Sequence, residues 1–430
     1  MNRLLLLLLL CFATTVMAKP LWADDAPASA GSMALFETLP SDPPPEAITR
    51  DSHYWISNEQ RLDLFHDSAK DKGGVYIGVG SDQNYLLAAW AKSEVLVLMD
   101  FDQKIVDLHK VYKVAFLNAP NKEEFIKLWL APANEQLRGL IKDAHSEPKT
   151  QRAVLQAHRN AQRHVARRFR KVIKQMETAQ LPSFLTDDDQ YNHIRNLYRS
   201  GKVFMVSGNL TVTGTMEAIG EAVEQAGMKV RILYVSNAEQ YFRVRPPFRD
   251  NIKSLPSDDK SIVIRTNGWT GLALVEDTGY HYNVQSLKSF KLFVAHPRTR
   301  SFSGMLKQAT PSDIYGFSTL NAPPADTSAE SRKRSSDRQR AEKKILAGVS
   351  RPSSASDASD ESGQLRAENK ELRDQERAEK KRIREAKRAE KRAAKKRVRE
   401  AKRAERAQAR EARRQLRKEK RSKQRLERDA

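Results

Sequence analysis

Apolar and polar positions change period repeatedly along this chain. Val75–Gly80 and Val95–Asp100 are short apolar runs, and Gln83–Lys92 between them carries a helical pattern. Strand, helix and strand in that order predict a βαβ unit. The spacing predicts further helices over Asn58–Lys70, Asp102–Asn118, Lys122–Asp143, Asp188–Ser200 and Met216–Gln225. Over Gln151–Thr178, Val154, Ala157, Ala161, Val165, Phe169, Val172 and Met176 recur at intervals of three and four, which makes one buried stripe on a long helix. Val203–Ser207, Lys229–Val235, Ser261–Arg265 and Tyr280–Ser286 read as strands. Strands separated by helices predict an α/β fold: an open, mostly parallel, Rossmann-like sheet covered on both faces. Residues 51–320 form that domain, and the helices at about 121–200 are an insertion in it.

The pattern fades at both ends. Residues 19–50 are rich in Ala, Pro and Ser, with Pro43-Pro44-Pro45 near the end, and are expected to be a flexible lead-in. Residues 321–363 are expected to be a disordered linker. Residues 364–430 are dominated by Ala, Glu, Lys and Arg, and REAKRAE occurs twice, at Arg384–Glu390 and Arg399–Glu405. Leu365 and Leu372 are one heptad apart, but no apolar seam continues beyond them. A solvated charged helix or a disordered tail fits this better than a stable coiled coil.

Charge sharpens the division. The formal net charge is +22, yet the last hundred residues hold 37 basic and 18 acidic side chains, so the body is close to neutral. All 31 aromatic residues lie at or before Phe317, which leaves the tail nothing to build a core with. A tail without aromatics can attract a polyanion but cannot stack on bases, so nucleic acid would be bound without regard to sequence.

The first eighteen residues read as a signal peptide. Asn2 and Arg3 precede the apolar run from Leu4, and Val16-Met17-Ala18 offers a cleavage site. The run is shorter than the roughly 20 residues a bilayer span needs. Cys11 is the only cysteine, so cleavage leaves a chain without disulfides or thiol ligands. The expected location is the periplasm or outside the cell, with anionic lipid or glycan as the tail's partner. No metal site is expected: His158 and His164, six apart, do not share a helix face.

The candidate chemistry gathers at predicted strand ends. Val75-Tyr76-Ile77-Gly78-Val79-Gly80 runs into a helix, which lets a ligand approach the Gly78 and Gly80 backbone and the helix N-terminus beyond. Asp100 lies 22 residues past Gly78, where an acid can accept hydrogen bonds from a ribose. The same turn also serves as a plain strand-to-helix connection. Asp82, Gln83, Asn84, Ser207, Asn209, Ser236, Asn237, Glu239 and Gln240 fall at the carboxyl ends of strands, where open sheets bind ligands. His109 and Lys113 are four apart on one helix, with Tyr112 nearby, as a candidate base and anion contact. Such residues also cap helices for structural reasons alone. No catalytic residue is identified. Gln151–Thr178 also carries eight basic side chains, Arg152, Arg159, Arg163, Arg167, Arg168, Arg170, Lys171 and Lys174, which make the face opposite the apolar stripe positive and suited to solvent or to phosphate, acidic glycan or anionic lipid.

Several segments together resemble a family. YIGVGSDQN, MDFD with HKVYKVAF, VSGN with EAIGEAVEQAG, YVSNAEQYF and NIKSLPSDDKSIVIR are similar, in order and spacing, to a bacterial family with an S-adenosylmethionine-dependent methyltransferase-like fold. The resemblance covers about Tyr54 to Asn267. It implies that Gly78 and Gly80 hold the methionine end of S-adenosylmethionine and that Asp100 holds its ribose. Tyr76 and Asp82 stand where that pattern has an acid and a third glycine, and Phe101, Asp102 and Asn209 replace other expected residues. The resulting expectation is an exported ligand-binding scaffold tied to anionic envelope surfaces, with an active methyltransferase as the alternative.

Overall fold

The computed structural model describes residues 33–45, 53–268 and 271–348. The signal peptide, most of the lead-in and the charged tail lie outside the described residues. The described chain forms eight strands in one sheet, ordered β3-β2-β1-β4-β5-β6-β8-β7. These are β1 Val75–Val79, β2 Val95–Asp100, β3 Val203–Ser207, β4 Val230–Ser236, β5 Ile262–Asn267, β6 His281–Ser286, β7 Thr310–Pro311 and β8 Phe317–Leu320. The first five are parallel in the doubly wound order 3-2-1-4-5. β6 then runs antiparallel to β5, which closes the parallel portion of the sheet.

Among the described residues, thirteen α-helices pack on the two faces. They are α1 Ala34–Glu37, α2 His66–Ala69, α3 Gln83–Ala91, α4 Gln103–Asn118, α5 Lys122–Leu128, α6 Asn134–Ala144, α7 Pro148–Ala179, α8 Asp188–Arg199, α9 Thr215–Gln225, α10 Pro246–Ser254, α11 Leu287–Ala295, α12 Phe302–Leu306 and α13 Ser328–Gly348. The pleat sorts the cores. Tyr76, Leu96, Leu98, Tyr234 and Ile264 point into an aromatic-rich cluster beneath α3 to α8, where Tyr85, Phe116, Phe125, Trp129 and Phe169 meet. Val75, Ile77, Val97, Leu233 and Val263 point the other way, against α9 to α12. Alternate residues of every central strand are therefore buried on opposite faces, as a sheet covered on both sides requires.

Four expectations change. The single helix over Lys122–Asp143 is two, α5 and α6. The helix over Asn58–Lys70 shortens to a 3-10 turn at Leu62–Phe65 followed by α2. The part of the lead-in at 33–45 is docked: Phe36 is buried and stacks on Phe204 at 5.0 Å. The first part of the linker is α13, held by buried Arg338, whose guanidinium donates to the Gly271 carbonyl at 2.9 Å and pairs with Glu342. Composition hid this because one buried arginine, and no apolar stripe, fastens the helix. No helix among the described residues is long and apolar enough to cross a membrane.

Candidate functional site

The switch point of the sheet lies between β1 and β4, where the chain leaves to opposite faces, and the carboxyl ends of the strands there are where open sheets of this order bind ligands in a crevice. A nine-residue stretch, His53–Arg61, crosses this edge in the order of the strands. His53 pairs with Asp102 beyond β2 at 2.6 Å, and the Ser57 N–H donates to Asp82 beyond β1 at 2.8 Å. The Glu59 carboxylate accepts from Ser236 at the end of β4 and from Thr266 on β5. The Gln60 and Arg61 N–H groups donate to the Tyr282 hydroxyl on β6. Strands sit about 4.8 Å apart, so five of them span roughly 20 Å, within reach of nine extended residues.

Beneath the stretch, most of the polar residues marked in the sequence are already engaged. Asp82 is ion-paired to Arg168 of α7 at 2.9 Å, both deeply buried. Gln83 donates to the Val79 carbonyl and accepts from the Ser81 N–H, each at 3.2 Å. Asn84 donates to the Val79 and Ser81 carbonyls and accepts from the Tyr76 hydroxyl. This also explains the glycines. A Cβ at Gly78 would lie 2.0 Å from the Asn84 side chain, and Gly80 has φ +89°. Asn209 is covered by the docked lead-in: its N–H donates to Asp42, and its side chain reaches the Pro43 carbonyl and Thr211. Ser207 is buried beside it, its carbonyl accepting from the Asp42 N–H.

Asp100 differs in being only partly buried, at the rim beside Gly80. It accepts from the Gly80 N–H at 3.0 Å and from the Asp102 N–H at 2.9 Å. Desolvation pushes its carboxyl up to about 7, against the pull of these two N–H groups. A carboxyl so poised can accept a ligand hydroxyl or donate to one. Across the switch point, the Asn58 and Asn237 side chains both donate to the Tyr280 hydroxyl, at 2.7 and 3.2 Å. Gln240 lies near Gly268 on the same side, and its amide nitrogen is buried without a hydrogen-bond partner.

His109 and Tyr112 are buried in the helical core of α4, not in the crevice. A carbonyl only accepts, so His109 Nε2 must donate to Gly80 O at 2.8 Å, which leaves Nδ1 to accept from the Tyr85 hydroxyl. Tyr85 in turn accepts from Tyr198. This fixes His109 as the neutral brace of the Gly80 turn, and burial lowers it to about 4, so it is not a base open to a ligand. Lys113 is exposed. Four residues advance a helix by roughly 40° beyond a full turn, enough to leave the buried arc. Glu239 is likewise removed from the crevice: it is fully buried and paired with Arg265 at 2.8 Å. Burial raises its carboxyl, with Arg265 opposing.

Of the residues marked in the sequence, Gly80, Asp100, Ser236, Asn237 and Gln240 lie along this edge of the sheet, and His53, Asn58, Glu59 and Tyr280 lie there with them. These last four left little trace in the sequence because their partners are far along the chain. Arg168, counted in the sequence with the basic face of its helix, is instead buried, because it shares the helical phase of Val165, Phe169 and Val172.

Among known families, the model of a domain of unknown function, DUF7790, matches residues 54–321. No curated protein matches the chain.

Proposed function

The chain belongs to the DUF7790 family, and we propose that its folded domain is a methyltransferase-like scaffold binding a small hydroxyl-bearing ligand at the switch-point crevice. Asp100 carries the reading. It is the acid at the end of the second strand of a 3-2-1-4-5 sheet, held by two backbone N–H groups and still open at the rim. The internal commitments of Asp82, Gln83, Asn84 and Asn209 favour a binding role over catalysis, since few side chains remain to act on a substrate. S-adenosylmethionine is the ligand to test first. An active methyltransferase is the second reading, favoured by the same carboxylate.

Thermal shift of the full chain with S-adenosylmethionine and S-adenosylhomocysteine tests both. The expected result is stabilisation by a few degrees that Asp100→Ala abolishes, without methyl transfer to added acceptors. Transfer would establish the enzyme, and no shift with either compound would remove S-adenosylmethionine as the ligand.

We further propose that the protein is exported and held at anionic envelope surfaces. The basic tail supports this, and so does α7. Arg152, Arg159, Arg163, Arg167 and Arg170 recur along the exposed side of its 32 residues, opposite Val154, Ala161, Val165 and Val172. None of the five is paired with a carboxylate among the described residues. A straight helix of that length spans about 48 Å and meets a flat surface along a line. Vesicles containing anionic lipid should therefore retain the protein, and about 0.5 M salt should release it, because exposed charges are screened there within a few ångströms. Ending the chain after Gly348 should weaken retention strongly, and Arg159→Glu with Arg163→Glu should remove the remainder. Retention unchanged by either would sink the attachment, while stronger binding to duplex DNA than to vesicles would favour sequence-independent nucleic-acid binding.

A further inference from the structure

On the far face of the sheet, α12, the loop before it and the start of α13 line a cavity of about 350 Å³ that is open to solvent. Pockets that hold small ligands begin at about 300 Å³. His296, Arg298, Arg300, Ser301, Ser331 and Arg332 are among its lining residues, and no carboxylate is.

The loop that carries two of these arginines is preorganised. Arg249 of α10 donates to the carbonyls of Val294, His296 and Thr299, so one guanidinium gathers three successive parts of the turn. The Ser301 hydroxyl accepts from the Gly304 N–H and fixes the entry to α12. The opposite wall is also tied down. Gln308 accepts from the Ala325 N–H at 3.0 Å, and Arg334 donates to the Pro323 carbonyl at 2.7 Å. Glu330, the nearest acid on α13, is occupied by Arg334 and by the Asp326 N–H. Arg298 gives one arm to the Asp326 carbonyl. Arg300 and Arg332 have no hydrogen-bond or ion-pair partner among the described residues.

Three guanidinium groups held around a concave surface repel one another unless an anion lies between them. Guanidinium forks match phosphoryl oxygens with paired donors, and the neighbouring hydroxyls supply further donors. We propose that this cavity binds a dianionic phosphoryl group, either on a small phosphorylated molecule or on a phosphomonoester lipid headgroup. It lies apart from the Asp100 crevice and does not depend on its reading.

Titration calorimetry of the full chain with pyrophosphate, and flotation with vesicles containing phosphatidic acid, separate the two sources. The decisive variant is Arg300→Glu with Arg332→Glu. The control is Arg199→Glu with Lys260→Glu, exposed positions outside both the cavity lining and α7, which changes the net charge equally and leaves the cavity intact. Both pairs lie at the surface, and an unchanged melting temperature shows that each variant folds. The cavity pair is expected to weaken saturable pyrophosphate binding by about tenfold or more, as the loss of charged hydrogen bonds implies, with the control near wild type. An effect of the cavity pair confined to flotation assigns the site to the lipid headgroup. Equal weakening by both pairs, or no saturable binding in either assay, overturns the proposal.

Discussion

Acidification from pH 7 to pH 5 is expected to destabilise the folded domain by about 4 kcal/mol, because buried histidines must become charged. Burial holds His109, His158 and His281 each at about 4, well below the ordinary 6.5 of an exposed imidazole. A depressed pKa contributes stability that is fully present above 6.5 and is lost as the pH falls toward 4. Each group therefore costs about 2 kcal/mol at pH 5. Asp100 works in the opposite direction. Its carboxyl is raised from 3.8 to about 7, so its contribution is lost as pH rises and partly regained on acidification. Three histidines outweigh one carboxyl, and the net slope favours neutral pH. His158 is the clean test, because it is 1% exposed, lies beside Trp129, and neither ring nitrogen has a hydrogen-bond partner. His158→Leu should leave stability at pH 7 unchanged or slightly higher and raise it by about 2 kcal/mol at pH 5. Urea unfolding at the two pH values measures this. Coincident pH profiles for wild type and variant would show that His158 is not among the groups that drive acid unfolding.

The same groups show what was legible in the sequence. Val95–Asp100 and Val203–Ser207 are strands with the predicted ends, since an unbroken apolar run closed by Asp or Ser admits little else. The stripe on α7 was equally plain, because each of its apolar members from Val154 to Met176 is buried. Asp100 could be placed from strand and spacing alone. The stretch His53–Arg61 could not. It has no period, and its anchors are hydrogen bonds to residues such as Ser236, Thr266 and Tyr282, some 177 to 222 positions away. Asp42 was hidden for a similar reason: a Pro-rich segment reads as loose until its contacts with Asn209 and Thr215 are seen. Strand-end polarity also misled in one respect. Asp82, Gln83 and Asn84 look like ligand contacts, yet they close the β1–α3 turn on itself, and sequence does not distinguish a donor aimed at a ligand from one aimed at its own backbone.

Arg168→Leu is expected to cost about 3–5 kcal/mol and to lower the melting temperature on the order of 10 °C. The side chains of Arg168 and Asp82 are 3% and 4% exposed, so removing the guanidinium strands a carboxylate inside the protein. The pair also joins three parts of the chain. Arg168 is on α7, Asp82 precedes α3, and Arg168 donates in addition to the Glu59 carbonyl at 3.2 Å, next to the Ser57 N–H that bonds Asp82. The exposed neighbour Arg167 provides the comparison, since Arg167→Leu should stay within about 0.5 kcal/mol of wild type. Asp82→Asn combined with Arg168→Leu should recover much of the loss, because neither member of the pair then leaves its partner's charge stranded. Function should not recover with stability. The double variant still lacks the guanidinium that holds Glu59, so amide exchange across Ser57–Arg61 should stay faster than in wild type, and any ligand response that needs Asp100 beneath an ordered crossing stretch should stay weakened. Equal melting temperatures for Arg168→Leu and wild type would mean that the crossing stretch is held by Glu59 and the tyrosines alone.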